Sequence, residues 1–337
     1  SDYDKTLHSD GWFVESLPDL NQRNPLLADY LVQNSIWWVE YAGLQGIRVG
    51  SWPYANKHFM SDWTRLIMQE YPGFNVVGEE WSELPAVTSY WQRGRNKHDG
   101  YVSFLPSVFD FPVQAAFTRA LKGDPDSFSG VWTSLYELVG MDFLYPEPMS
   151  LVIFPDNHEM DRIYAQLEEN FDLYRMAMVY YATMRGIPQF FYGDEILASH
   201  PRASSHGELR SDFPGGWEGD AVNAFNGEGL TEQQRNAQQL VSRLLNWRKN
   251  NQTIHHGKFM HFAPIRNVYV YFRYDADNTV MVILNRDEDT VVLDTGRFAE
   301  RIGDATHGTD VVSGKRFSIE DSLVLEPRSA LLLELGE

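Results

Sequence analysis

Between residues 24 and 250 short apolar runs alternate with longer segments whose apolar positions recur at helical spacing. This pattern predicts strand–helix units, a parallel sheet with helical crossovers. "NPLLADYLVQNSIWWVEYAG" (24–43) reads as a helix, with Pro25 at its first turn and Gly43 as its stop. A short strand at 46–49 follows, then a helix over 56–73 and a strand within "FNVVGEEW" (74–81). "YVSFLPSVFDF" (101–111) and "SLVIFPDN" (150–157) read as two more strands, with a helix at 112–123 after the first. "FDLYRMAMVYYATMRG" (171–186) is a helix that leads into the apolar run "IPQFFYGDE" (187–195). The polar segment 198–229 is too long for an idle connection. "TEQQRNAQQLVSRLLNWRKN" (231–250) closes this part as a helix started by Thr231.

After about residue 251 the period changes to two. "YVYFRYDADNTVMVILNRDEDTVVLD" alternates around "DADN" and "RDED", which predicts antiparallel hairpins. Two domains are therefore expected, an α/β domain over 1–250 and a small β-sandwich over 251–337.

Composition narrows the chemistry. The 337 residues are 43% hydrophobic and 14% aromatic, enough for a substantial core. A formal charge of −19 repels phosphate backbones and anionic lipid, so nucleic acid and membrane are poor partners. The chain has no cysteine, which removes disulfides, thiolate metal sites and a Cys nucleophile together. No P-loop and no G-x-S-x-G elbow occurs. His158, Glu159 and Asp161 lack metal-ligand spacing on a regular element, so no metal or cofactor is expected. The compartment stays open.

Three strand ends carry charge. "VVGEEW" places Glu79 and Glu80 just past a buried strand, "VIFPDNHEMDR" does the same with Asp156, Asn157 and His158, and "GIRVGSW" presents Arg48 and then Gly50, which has no side chain. A single Asp at a strand end is commonly a turn residue; two carboxylates and an Arg at successive strand ends point to a catalytic face. Trp52, Tyr54, Trp81, Trp91, Tyr101 and Trp217 lie in or near these loops, and flat rings beside carboxylates suit sugars. Trp37 and Trp38, inside a helix, are expected in the core.

"GIRVGSWPY", "VVGEEW" and "FPDNHE" resemble three conserved regions of the α-amylase superfamily of glycoside hydrolases, and "LPDLNQRNP" (17–25) resembles a region of its neopullulanase and cyclomaltodextrinase branch. The likeness continues through "RGIPQFFYGDE" and "RSDFPGGW", so it covers essentially the whole chain. It implies a (β/α)8 barrel followed by an antiparallel β-sandwich, and cleavage of α-1,4-glucans, cyclomaltodextrins or pullulan. The barrel is expected to be incomplete, with strands four to eight only, because the family's first three strands and inserted domain have no counterpart here. A homo-oligomer, or completion by a separate N-terminal segment, is then the expected assembly.

By the same resemblance Glu79 is the general acid/base and Asp156 the third carboxylate, holding sugar hydroxyls. Arg48 and His158 position substrate and charge, and Asn157, Trp81 and Tyr54 join them at the sugar. Gly50 occupies the place of the family's nucleophilic Asp. A retaining glycosidase needs two carboxyl groups about 5–5.5 Å apart, one protonating the leaving oxygen and one attacking the anomeric carbon. With Gly50 the second is missing, by engineering or by natural impairment. Three readings stand: a nucleophile-deficient hydrolase, a non-catalytic α-glucan-binding protein, and a transglycosylase of the same superfamily.

Overall fold

A computed structural model describes residues 1–5, 11, 12, 14–201 and 203–336. The chain divides into two compact units, one of residues 1–113 and 140–153, the other of residues 114–139 and 154–337.

The first unit is built on a parallel sheet. Strand β1 (Gly46–Val49) pairs with β2 (Asn75–Gly78), which pairs with β3 (Ser107–Val108). Ile47 lies opposite Val76, and Val77 opposite Ser107. A parallel bridge from Phe109 to Val152 brings up β4 (Val152–Ile153). The stretches expected as strands over 101–111 and 150–157 are thus two-residue strands at the ends of extended loops. Pro106 and Pro155, inside those stretches, have no N–H for a ladder.

The helix Pro25–Ala42 starts and stops where its punctuation says. Asn24 caps it by accepting from the Leu26 N–H, and Gly43 takes a left-handed φ of 65° at its end. Only Val32 and Val39 of this helix are buried. Trp37 and Trp38, expected in the core, are 51% and 47% exposed, with Trp37 stacked on Tyr41 at 4.7 Å. Apolar residues cover more of this helix than one stripe, and the inward face falls to Val32, Ile36 and Val39. The next helix, Lys57–Glu70, is capped by Asn56 and buries Met60, Trp63 and Ile67 against Val76, Leu105 and Val108.

The second unit carries the long helices Phe171–Thr183 and Glu232–Lys249, with the two-residue strand β5 (Ile187–Pro188) between them, and a β domain. Its sheet has six antiparallel strands in the order β11-β10-β13-β8-β7-β6: Arg316–Ser318, His307–Asp310, Ser329–Gly336, Thr279–Asn285, Val268–Tyr274 and Lys258–Ile265. A pair of strands, β12 (Ser322–Leu325) and β9 (Val291–Asp294), closes over it. Val270, Phe272, Ile283, Leu323 and Leu333 fill the space between.

Compactness does not divide at residue 250. Arg248 at the end of the helix Glu232–Lys249 donates to the Ala182 and Gly186 carbonyls, and Arg273 on β7 donates to those of Thr183 and Met184. The β domain is stitched through buried guanidinium groups to the helix Phe171–Thr183, so residues 154–250 belong with it. No helix among the described residues is long and apolar enough to cross a membrane.

Candidate active site

In the first unit the strand ends place Arg48, Gly50 and Glu79 together. The Glu79 N–H donates to the Val49 carbonyl at 3.0 Å, and the Trp52 N–H to the Glu79 carbonyl at 3.0 Å, so the two chains stay in register past the sheet. Arg48 Nη2 donates to Glu79 Oε1, and the Ser51 N–H approaches Oε2 at 3.4 Å. Glu79 is almost fully buried, whereas the Arg48 side chain is 38% exposed.

Two glycines here differ in kind. A Cβ on Gly78 would meet Leu105 at 2.7 Å and the Trp52 ring at 2.9 Å, so the buried indole packs directly on the strand backbone. Gly50 is under no such constraint. Its φ lies outside the left-handed region, and a Cβ there would meet the Arg48 guanidinium at 3.1 Å and Glu79 Oε2 at 3.7 Å. A side chain at 50 would therefore point at the Arg48–Glu79 pair. The next residue, Ser51, takes a φ of 56°, a conformation disfavoured without glycine and common at functional turns.

Around this pair, Trp81 is 48% exposed and stacks on Phe111 at 4.6 Å, which leaves ring surface for a ligand. Glu80 turns away from it and accepts from the Trp91 indole at 2.6 Å. Burial pushes its carboxyl above the ordinary range, against that hydrogen bond. Tyr54 is half-buried, and its hydroxyl is likewise raised, by burial and then by Glu80. Trp52 and Tyr101 are core rings.

In the second unit the loop after β4 separates its polar residues by depth. Asp156 is fully buried. Its Oδ2 accepts from the Ile163 N–H at 2.5 Å and from Arg162 Nε at 3.4 Å. Arg162 also binds Asp194 Oδ1 at 2.9 Å and the Tyr192 carbonyl at 2.5 Å. Two buried carboxyls thus share one guanidinium. Burial first, and the Asp194 carboxylate second, push the Asp156 carboxyl well above the usual range.

Asp156, expected to hold sugar hydroxyls, is enclosed here and pairs with Arg162 and the Ile163 N–H. Asn157 is also buried, and its side chain accepts from the Glu159 N–H at 2.8 Å, which shapes the turn. The loop presents His158 and Glu159 instead, with side chains 34% and 36% exposed and His158 Nε2 3.6 Å from Glu159 Oε1. Arg210 secures them, donating to the His158 carbonyl at 2.9 Å. The sequence brings in Glu159 only as a rejected metal ligand; the Arg162–Asp194 pair, which accounts for Asp156 as an internal partner, is what draws attention to it as a polar group of this loop.

Residues 6–239 match the family model described as alpha amylase, catalytic domain, and residues 259–334 match the cyclo-malto-dextrinase C-terminal domain. A cyclomaltodextrin glucanotransferase of Geobacillus stearothermophilus is 23% identical over 90% of this chain and 40% of its own length. A cyclomaltodextrinase of Bacillus sp is 22% identical over 82% of this chain and 45% of its own. Among solved structures, an alpha-amylase from Geobacillus thermoleovorans complexed with acarbose superposes with a TM-score of 0.78 at 22% identity, covering 99% of this chain and 69% of that one. The chain spans about half the length of the curated relatives it matches.

Proposed function

The chain belongs to the α-amylase family, and from that premise we propose that it binds α-1,4-glucans and, with glycine at position 50, cleaves them slowly or not at all. The observation that carries this reading is the Arg48–Glu79 pair beside a residue without a side chain. Glu79 is the carboxyl that would donate a proton to the leaving glycosidic oxygen. Arg48 occupies Glu79 Oε1, so that contact must open for this oxygen to face a substrate. The group that would attack the anomeric carbon and form the glycosyl ester is absent at 50. Trp81 offers its exposed ring to a sugar face, with Tyr54 at the edge of the same loops. In the second unit the half-buried His158 and Glu159 are polar groups suited to sugar hydroxyls, and Asp156 and Asn157 hold their loop in shape.

The same observation favours a second reading, a glucan-binding protein without turnover, because Arg48 neutralises Glu79 directly. Maltoheptaose incubated with the chain and with Gly50→Asp, followed by chromatography of the products, separates the readings. Shorter products from Gly50→Asp alone support the nucleophile-deficient hydrolase. Longer products support transfer, and unchanged sugar that is nonetheless bound supports the binding protein.

We further propose a polypeptide partner at the β1 edge. Among the described residues β1 pairs only with β2, and Tyr30, Trp37, Trp38 and Tyr41 of the preceding helix are exposed. Unpaired strand edges and large ring-bearing patches are the features that partners cover. An added segment contributing a parallel strand would satisfy both.

A further inference from the structure

The second unit contains a cavity of about 700 Å³ remote in sequence from Glu79, His158 and Glu159. It lies where the helix Glu232–Lys249 ends beside the start of β8 and the end of β13. Its lining includes Trp247, Asn250, Asn251, Gln252, Asn278 and Glu334, with Thr253 and Thr279 between them. The volume falls within the range of about 300–1,000 Å³ that holds small ligands.

The chemistry of the lining is selective. Four side-chain amides can each donate and accept, which matches hydroxyl groups that do both. Among the described residues no Lys or Arg lines it, and Glu334 does, so it offers no positive charge to a phosphate or sulfate. An apolar ligand would leave the amides desolvated and unpaired. The walls are also fixed before any ligand arrives. The Trp247 indole donates to Glu334 Oε1 at 2.8 Å, and Asn251 accepts from the Ile254 N–H at 3.1 Å. Asp275 receives the Thr253 hydroxyl at 2.5 Å and the Asn278 N–H at 2.8 Å, which sets the turn before β8. Ordered walls lower the entropic cost of binding.

We infer that this cavity is a second carbohydrate site, taking a neutral oligosaccharide across the amides with Trp247 as its aromatic surface. The class of ligand follows from the lining. That the sugar is an α-1,4-glucan rests on the function proposed above.

The test is fluorine NMR of the full chain carrying fluorotryptophan, titrated with maltoheptaose and separately with inorganic phosphate. Trp247→Phe and Trp81→Phe identify the two signals. The Trp247 signal should move saturably with maltoheptaose and not with phosphate. The surface double variant Gln252→Ala, Asn278→Ala should raise the half-saturating concentration at Trp247 about tenfold, or about 1.4 kcal/mol, without altering the Trp81 response. A Trp247 signal unmoved by maltoheptaose while Trp81 responds overturns the second site and leaves the glucan reading standing. A Trp247 response without one at Trp81 supports the site and counts against glucan binding at the strand ends. If neither moves, both fall. An equal response to phosphate overturns the neutral-ligand assignment.

Discussion

The Arg48 guanidinium donates to the Glu79 carboxylate across the ends of two adjacent parallel strands. Glu79 is nearly buried and Arg48 is partly in solvent, so removing Arg48 strands a desolvated charge. Arg48→Ala should cost about 1–2 kcal/mol, below the 3–5 kcal/mol typical of a wholly buried pair because water reaches the guanidinium. Urea unfolding measures this. An unchanged midpoint would mean that the pair contributes nothing to the fold.

Gly78 and Gly50 should respond oppositely to alanine. At 78 the new methyl overlaps Leu105 and Trp52 in the core, and overpacking of that kind costs about 1–3 kcal/mol. At 50 the nearest atom is the end of a flexible arginine and the backbone suits any residue. Gly50→Ala should be neutral or stabilising by up to about 1 kcal/mol through a less flexible unfolded chain. Equal destabilisation at both positions would show that the backbone at 50 needs glycine, and that its lack of a side chain is structural.

Asp156 sets a pH dependence of known sign. Its carboxyl is raised well above the ordinary value in the folded protein, so folding takes up a proton between that ordinary value and the raised one. Stability from this group is greatest below about pH 4 and falls as pH rises through the window, by about 1.4 kcal/mol per pH unit. Asp156→Asn keeps an acceptor for the Ile163 N–H and removes the excess charge. Thermal unfolding from pH 4 to 8 should show the native chain losing stability relative to the variant. Parallel curves would contradict the raised Asp156 carboxyl.

The uncovered β1 edge and the rings of the helix Pro25–Ala42 should make the isolated chain associate. Sedimentation at increasing concentration should show species heavier than the 38.8 kDa monomer, and Trp37→Lys with Tyr41→Lys should reduce them. A chain that stays monomeric and unfolds cooperatively would show that this surface needs no cover.

Local signals were the most legible in the sequence. Pro25 and Gly43 bracket the first long helix, β1 spans Gly46–Val49 as its apolar run indicates, and Thr231 starts the helix Glu232–Lys249 with a full capping box to Gln234. The pairing of Arg48 with Glu79 could be inferred from equivalent strand ends. Depth could not. A strand end carrying "PDNHE" reads alike whether Asp156 or Glu159 reaches solvent, and only Arg162 and Asp194, 6 and 32 residues from their partners, decide it. Trp37 and Trp38 were misplaced for a related reason. In a helix whose apolar positions spread well beyond one stripe, periodicity does not name the face that packs.

The rate of maltooligosaccharide cleavage by the Gly50 chain and by Gly50→Asp, measured side by side, tests the role of position 50 most directly. The new carboxylate would displace the Arg48 guanidinium by a few tenths of an ångström and stand beside Glu79. Cleavage by Gly50→Asp should exceed that of the native chain by about a thousandfold or more, the scale of restoring a covalent nucleophile. Equal rates in the two chains would contradict the assignment of position 50 as the missing nucleophile.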